Sequence, residues 1–185
     1  MTENTIKKQK NRFYFTNKEI VMIAAFFALM ILSGFIWFAG PVLGITLHGI
    51  LWGIILITAA IVIRKKYTIL TLGVIYTLID FSSANMYGRT LTAINTLVGA
   101  IALEAVLQMA SPYASKLKLD LVGIFLFGLV SRTVYVFIIV FVYGMTFPLG
   151  LAVGYYILPH RITFPIGGYL GFKMGNKVKN VMESV

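Results

Sequence analysis

Two oppositely charged side chains stand inside long apolar stretches of the sequence. Glu104 lies in LVGAIALEAVLQ, residues 97–108, and Arg132 lies in a similar stretch further along the chain. An ionised side chain that leaves water loses its hydration free energy, and the loss is large unless another polar group replaces the water. Glu104 therefore needs a partner, a proton or a hydrated cavity.

Two interpretations follow from the depths of these residues in a membrane. At about 1.5 Å per helical residue, Glu104 lies about 22 Å and Arg132 about 16 Å below the outer surface. An arginine side chain bridges that difference, so the first interpretation is a structural Arg132–Glu104 ion pair. In the second, one or both line a polar pocket open to the outside, where Arg132 offers a forked donor to a carbonyl, phosphate or ring nitrogen.

Further polar and aromatic residues share helical faces with this pair or lie near the outer helix ends. As substrate-binding residues we predict, besides Glu104 and Arg132, Tyr135, Asn95, Trp52, His48, Tyr143, Arg89 and Tyr87. Aromatic walls with a few convergent polar groups are typical of a small-molecule site. Tyr and Trp also form interfacial belts, and the loop DFSSANMYGR could be an ordinary turn with an Asp80–Arg89 ion pair.

The composition indicates an integral membrane protein. The chain has 185 residues, of which 59% are hydrophobic and 12% charged, whereas soluble domains are about 25% charged. It has no cysteine, which excludes disulfides and thiolate metal sites. The sequence also lacks a Walker A loop, a Rossmann glycine pattern, a His-Glu-x-x-His motif and a rhomboid-type serine motif. We therefore predict no catalytic residues, no metal, no cofactor and no enzymatic activity.

Six apolar stretches are about long enough to cross a bilayer. They are residues 20–39, 45–63, 67–83, 90–110, 119–143 and 150–176. The prediction is an all-α fold, with one six-helix membrane domain at 20–176, a basic tail at 1–19 and a C-terminal tail at 177–185. Pro159 and Pro165 interrupt the last stretch, so we expect its outer half to be a loop or re-entrant segment and its helix to start near Arg161.

The basic residues are distributed unevenly along these six spans. Thirteen of the 16 Lys and Arg residues fall in the two tails and in the second and fourth loops, all on one side. The positive-inside rule places that side, and both termini, in the cytoplasm of a multi-pass protein of the cell membrane. The net charge of +10 is thereby explained without a nucleic-acid partner.

Small residues recur at four-residue steps in the first and last spans. Ala24 and Ala28 share one face, and so do Gly167, Gly171 and Gly175. This spacing lets another helix approach closely, in the same bundle or in another subunit.

The layout resembles the substrate-binding S component of an energy-coupling factor (ECF) vitamin transporter. The resemblance rests on the basic tail, the stretch NKEIVMIAAFFALM, the six spans and the glycine-rich end GGYLGFKMGNKVK. Within that family, GILWGIILITAAIVIRKK and INTLVGAIALEAVLQMAS are similar to the hydroxymethylpyrimidine/thiamine type. The spacing between Gly99 and Glu104 and the outer loops depart from that type.

The resemblance implies a transport role that the residues alone do not. An S component captures a vitamin or its precursor outside, docks on a membrane coupling (T) subunit, here through Ala24 and Ala28, and releases the ligand inside. Two ATPase subunits of the ABC type supply the energy. Glu104 would then belong to the ligand site or its support. The alternative is a membrane scaffold or assembly protein held together by the Arg132–Glu104 pair.

Overall fold

The computed structural model describes residues 14–83, 90–146 and 148–184. Within these ranges the chain is a helical bundle without strands. Four of the described helical segments are long and apolar enough to cross a membrane: Asn17–Ala39, Pro41–Ile63, Thr90–Leu107 and Leu117–Val142. The predicted all-α membrane bundle is confirmed.

Among the described residues, the six predicted spans correspond to seven α-helices and several short 3₁₀ and π turns. The helices are α1 (Asn17–Ser33), α2 (Pro41–Ile63), α3 (Thr68–Ser83), α4 (Ile94–Leu107), α5 (Leu117–Phe137), α6 (Leu149–Ala152) and α7 (Leu158–Glu183). A 3₁₀ segment, Gly34–Ala39, extends α1, and another, Thr90–Ala93, precedes α4. A π turn, Ile138–Val142, extends α5.

The last span differs from the prediction. It is helical from Leu149 to Glu183, because a second π turn, Val153–Ile157, joins α6 to α7. Pro159 lies at the start of α7, directly after the π turn. Pro165 lies inside α7, and packed membrane helices tolerate such a residue. The predicted start near Arg161 is therefore wrong, and most of the predicted tail 177–185 continues the helix.

Contacts at the start of α1 define one end of the bundle, here called the inner end. Thr16 and Glu19 form a capping box, in which each side chain accepts a hydrogen bond from the other residue's backbone N–H, at 3.3 and 2.7 Å. Glu19 also pairs with Lys65 of the α2–α3 loop at 3.0 Å, and Lys65 donates to the carbonyl of Tyr14. The inner end is the side predicted to be cytoplasmic.

Helices α2 and α7 pack closely along the glycines of the last span. A Cβ atom at Gly171 would lie 2.7 Å from the carbonyl oxygen of Ile54, and one at Gly167 would overlap the carbonyl of Ile50. Thr58 adds a hydrogen bond to the carbonyl oxygen of Gly171 at 3.2 Å. The glycine face therefore serves packing within this bundle.

Helix α1 contrasts with α2 because most of its surface is free. It packs through Ile23 and Met30, which are buried, while Ala24 and Ala28 are exposed. The face with small-residue spacing on α1 is thus available to another helix.

We predict that Gly171→Ala destabilises the bundle by about 1–3 kcal/mol, because the added methyl group meets backbone atoms that cannot move aside. The midpoint of thermal unfolding in detergent should fall by several degrees. Gly34→Ala is the control, since a Cβ there meets nothing within 4 Å. Equal midpoints for the two variants would refute the close α2–α7 packing.

Candidate functional site

A cavity of about 220 Å³ lies between the halves of α2, α3, α4 and α5 that are remote from the inner end. Its aromatic lining comprises Trp37, Trp52, Tyr76, Phe127 and Tyr135. Its polar and charged lining comprises His48, Asp80, Thr92, Asn95, Thr96, Ser131 and Arg132. Six helical segments of the described chain therefore contribute to one site, including the 3₁₀ segments that carry Trp37 and Thr92.

The rings in this lining form a connected set of flat surfaces. His48 stacks on Trp52 with ring centroids 4.8 Å apart, and Trp37 lies 5.8 Å from the same imidazole. The edge of Tyr76 contacts Trp52 at a centroid distance of 4.7 Å. Such surfaces favour a planar ligand, because aromatic rings attract one another in stacked and edge-to-face arrangements.

Arg132 and His48 are joined by a hydrogen bond whose direction is fixed. The arginine Nη2 lies 3.1 Å from Nδ1 of His48. A guanidinium carries only donors, so Nδ1 of His48 must accept, and a neutral His48 then carries its proton on Nε2. A neutral imidazole orients the guanidinium but brings no negative charge to it.

Asp80 supplies a negative charge to the same cavity, from α3. Between described residues there are ion pairs at Lys65–Glu19 and Lys179–Glu183, and none joins Asp80 to Arg132. The site therefore presents a cation and an anion that both line the cavity without forming a contact ion pair.

The predicted pairing of Glu104 with Arg132 is wrong. Within the described chain the Glu104 carboxylate accepts hydrogen bonds from five donors, all near the inner end. Three are the backbone N–H groups of Tyr67, Ile69 and Leu70, at 2.7, 3.1 and 3.3 Å. The others are the Tyr113 hydroxyl at 2.9 Å and the Gln108 amide at 3.0 Å. Glu104 is thus a buried cap for the start of α3.

Tyr113 contributes to this cap as a donor. The residue is buried in the α4–α5 loop, and burial together with the adjacent Glu104 carboxylate raises the pKa of Tyr113 well above its ordinary value. Its hydroxyl therefore keeps its proton and donates to Glu104. This contact joins the α4–α5 loop to the start of α3.

The two helices also place Glu104 and Arg132 at different depths. Glu104 is three residues from the inner end of α4, about 5 Å, whereas Arg132 is fifteen residues from the inner end of α5, about 22 Å. The predicted depths assumed that α4 and α5 end together on the outside. The span at Thr90–Leu107 has 18 residues and that at Leu117–Val142 has 26, so alignment at the outer ends misplaced Arg132.

The other predicted site residues fall into three groups. His48, Trp52, Asn95, Arg132 and Tyr135 are brought together on the cavity lining. Tyr143 is at the outer end, where its hydroxyl accepts from the backbone N–H of Leu91 at 3.0 Å, apart from the lining residues. Tyr87 and Arg89, and with them the Asp80–Arg89 pair, lie outside the described residues.

Seven lining residues were not among the predicted site residues: Trp37, Tyr76, Asp80, Thr92, Thr96, Phe127 and Ser131. A signal existed for two of them, because Phe127, Ser131 and Tyr135 recur at four-residue steps on one face of α5. Tyr76 likewise lies one turn before Asp80. Trp37 had no such signal, since it follows the regular part of α1.

No family model and no curated protein matches the sequence. A solved structure described as the crystal structure of an S component of an ECF transporter resembles the bundle with a TM-score of 0.58. The two sequences are 23% identical, and the match covers 91% of this chain and 85% of that chain. The likeness shows that the two proteins share a fold.

A double-mutant cycle separates the observed cap from the rejected pair. We expect Glu104→Ala to lower the free energy of unfolding by about 3 kcal/mol or more, because it leaves several buried hydrogen-bond donors without an acceptor. The coupling energy between Glu104→Ala and Tyr113→Phe should be about 1 kcal/mol. That between Glu104→Ala and Arg132→Leu should stay below about 0.5 kcal/mol. Denaturant unfolding in detergent provides these values, and strong coupling to Arg132 would contradict the cap.

Proposed function

We propose that this protein is the substrate-binding S component of an ECF-type importer in the cell membrane. It captures a small vitamin or vitamin precursor from outside and delivers it inward, while partner subunits hydrolyse ATP. The observation that carries the proposal is the cavity remote from the inner end, with flat aromatic walls and with Arg132 and Asp80 on its lining. The shared fold with an S component supports the same function.

The dimensions and lining of the cavity limit its ligand. At about 220 Å³ it is smaller than the pockets of about 300–1,000 Å³ that hold drug-sized molecules. A solute of one or two rings fits such a space between Trp52, Tyr76 and Tyr135. The sequence resemblance makes hydroxymethylpyrimidine and thiamine the first compounds to test.

Glu104 has a supporting role in this proposal. It lies nine residues from Asn95 on α4, about 14 Å along the axis, and therefore below the cavity. By capping α3 it fixes the helix that carries Tyr76 and Asp80 to the cavity wall. It holds the site in place without contacting the ligand.

The exposed face of α1 is the proposed docking surface for the coupling subunit. Ala24 and Ala28 are exposed and allow a second helix to approach to backbone contact. Two ATPases bound to that subunit would face the basic inner end. The scaffold alternative loses its main argument, because Glu104 and Arg132 do not form the pair on which it rested.

The first test is ligand binding by the purified protein in detergent. We expect a small solute to co-purify and to be identifiable by mass spectrometry, and a member of a vitamin panel to raise the unfolding midpoint. A ligand at 100 times its Kd stabilises by about 2.7 kcal/mol. Arg132→Leu should remove that stabilisation, whereas Val122→Leu, a change on the exposed side of α5, should keep it. No co-purified solute and no stabilisation by any panel member would argue against transport.

The second test concerns docking. Ala24→Trp should leave ligand binding intact but prevent co-purification with the coupling subunit and abolish uptake, because the bulky ring keeps the partner helix away. Val122→Trp makes a similar change at an exposed position on α5 and should transport normally. Normal uptake by the Ala24 variant would remove α1 from the docking surface.

A further inference from the structure

The unused hydrogen-bonding capacity of Arg132 points to an acidic group on the ligand. A guanidinium has five N–H donors, and among the described residues the single hydrogen bond of Arg132 goes to His48. Its Nε is buried without a partner. Because a cation held in a partly buried site is stabilised by an opposite charge, the vacant donors favour a carboxylate or phosphate oxygen over a neutral acceptor.

The Asp80 carboxylate, in contrast, needs a hydrogen-bond donor on the ligand. An ionised carboxylate accepts hydrogen bonds and offers none. No hydrogen bond or ion pair links this carboxylate to another described side chain, although it lines the same cavity as Arg132. An amino group or ring N–H on the ligand would satisfy it.

The two charges together select against simple ions. A ligand that is only a cation meets Arg132, and one that is only an anion meets Asp80, so each is repelled by one wall. The rings of Trp52 and Tyr76, with centroids 4.7 Å apart, line the same cavity as the two charged groups. The cavity is therefore suited to a flat ring.

Building on the proposed function, we propose that the ligand is an amphoteric heteroaromatic solute. Its ring lies among the aromatic walls, an acidic oxygen group binds Arg132, and an amino or N–H group binds Asp80. This narrows the vitamins and precursors considered above. Thiamine, a cation, and hydroxymethylpyrimidine, which has no acidic group, both offer no acidic oxygen to the vacant donors of Arg132.

Three matched pyrimidines test the proposal on the full-length protein in detergent by calorimetry. They are 2-aminopyrimidine-5-carboxylate, pyrimidine-5-carboxylate without the amino group, and 2-aminopyrimidine without the acid. We expect the first to bind at least tenfold more tightly than either of the others. Arg132→Gln should abolish its advantage over 2-aminopyrimidine, and Asp80→Asn its advantage over pyrimidine-5-carboxylate.

Each variant is the control for the other, because each should erase one advantage and keep the other. Equal affinities of the wild-type protein for the three compounds, no binding by any of them, or a uniform loss of affinity in either variant would overturn the proposal. A co-purified ligand without an acidic group would overturn it as well, while leaving the proposed transport function in place. If neither a ligand nor a coupling subunit co-purifies with the protein, the proposed transport function itself is contradicted.

Discussion

The carboxylate of Glu104 is the contact on which the arrangement of the inner half depends. The first backbone N–H groups of any helix have no acceptor within that helix, and hydrocarbon offers none either. Here one buried carboxylate serves two of these groups on α3, at Ile69 and Leu70, and the N–H of Tyr67 just before the helix, and it also binds Tyr113. The negative charge is favourable at this place because a helix start carries a partial positive charge. One side chain of α4 thereby fixes α3, α4 and the α4–α5 loop relative to one another.

The two halves of the bundle differ in how closely their helices pack. In the inner half, Gly171 and Gly175 bring α7 against α2 so closely that little space remains. In the other half the helices carry rings and polar side chains that do not fill the space between them. The cavity exists because Arg132, Asp80 and their neighbours are held apart by helices that are firmly packed elsewhere.

The sequence was sufficient for the all-α membrane bundle and for part of the site. Long apolar stretches predict membrane helices whatever their tertiary contacts, and His48, Trp52 and Arg132 stood out because such side chains are rare within spans. The partners of Glu104 could not be found this way. Its carboxylate accepts hydrogen bonds mainly from backbone N–H groups, and the residue types in a sequence do not show which backbone groups will be near. Local turns were also not predicted. A π turn continues the helix up to Pro159, and a 3₁₀ segment places Trp37 on the cavity lining.

The position of Trp37 has a practical consequence for spectroscopy. The chain contains two tryptophans, and both line the cavity, with ring centroids 5.8 and 4.8 Å from that of His48. All indole fluorescence of the protein therefore originates at the walls of one site. The emission wavelength and the quenching of this fluorescence report the polarity and occupancy of that site. Ligand binding can therefore be followed on the natural chain without an attached dye.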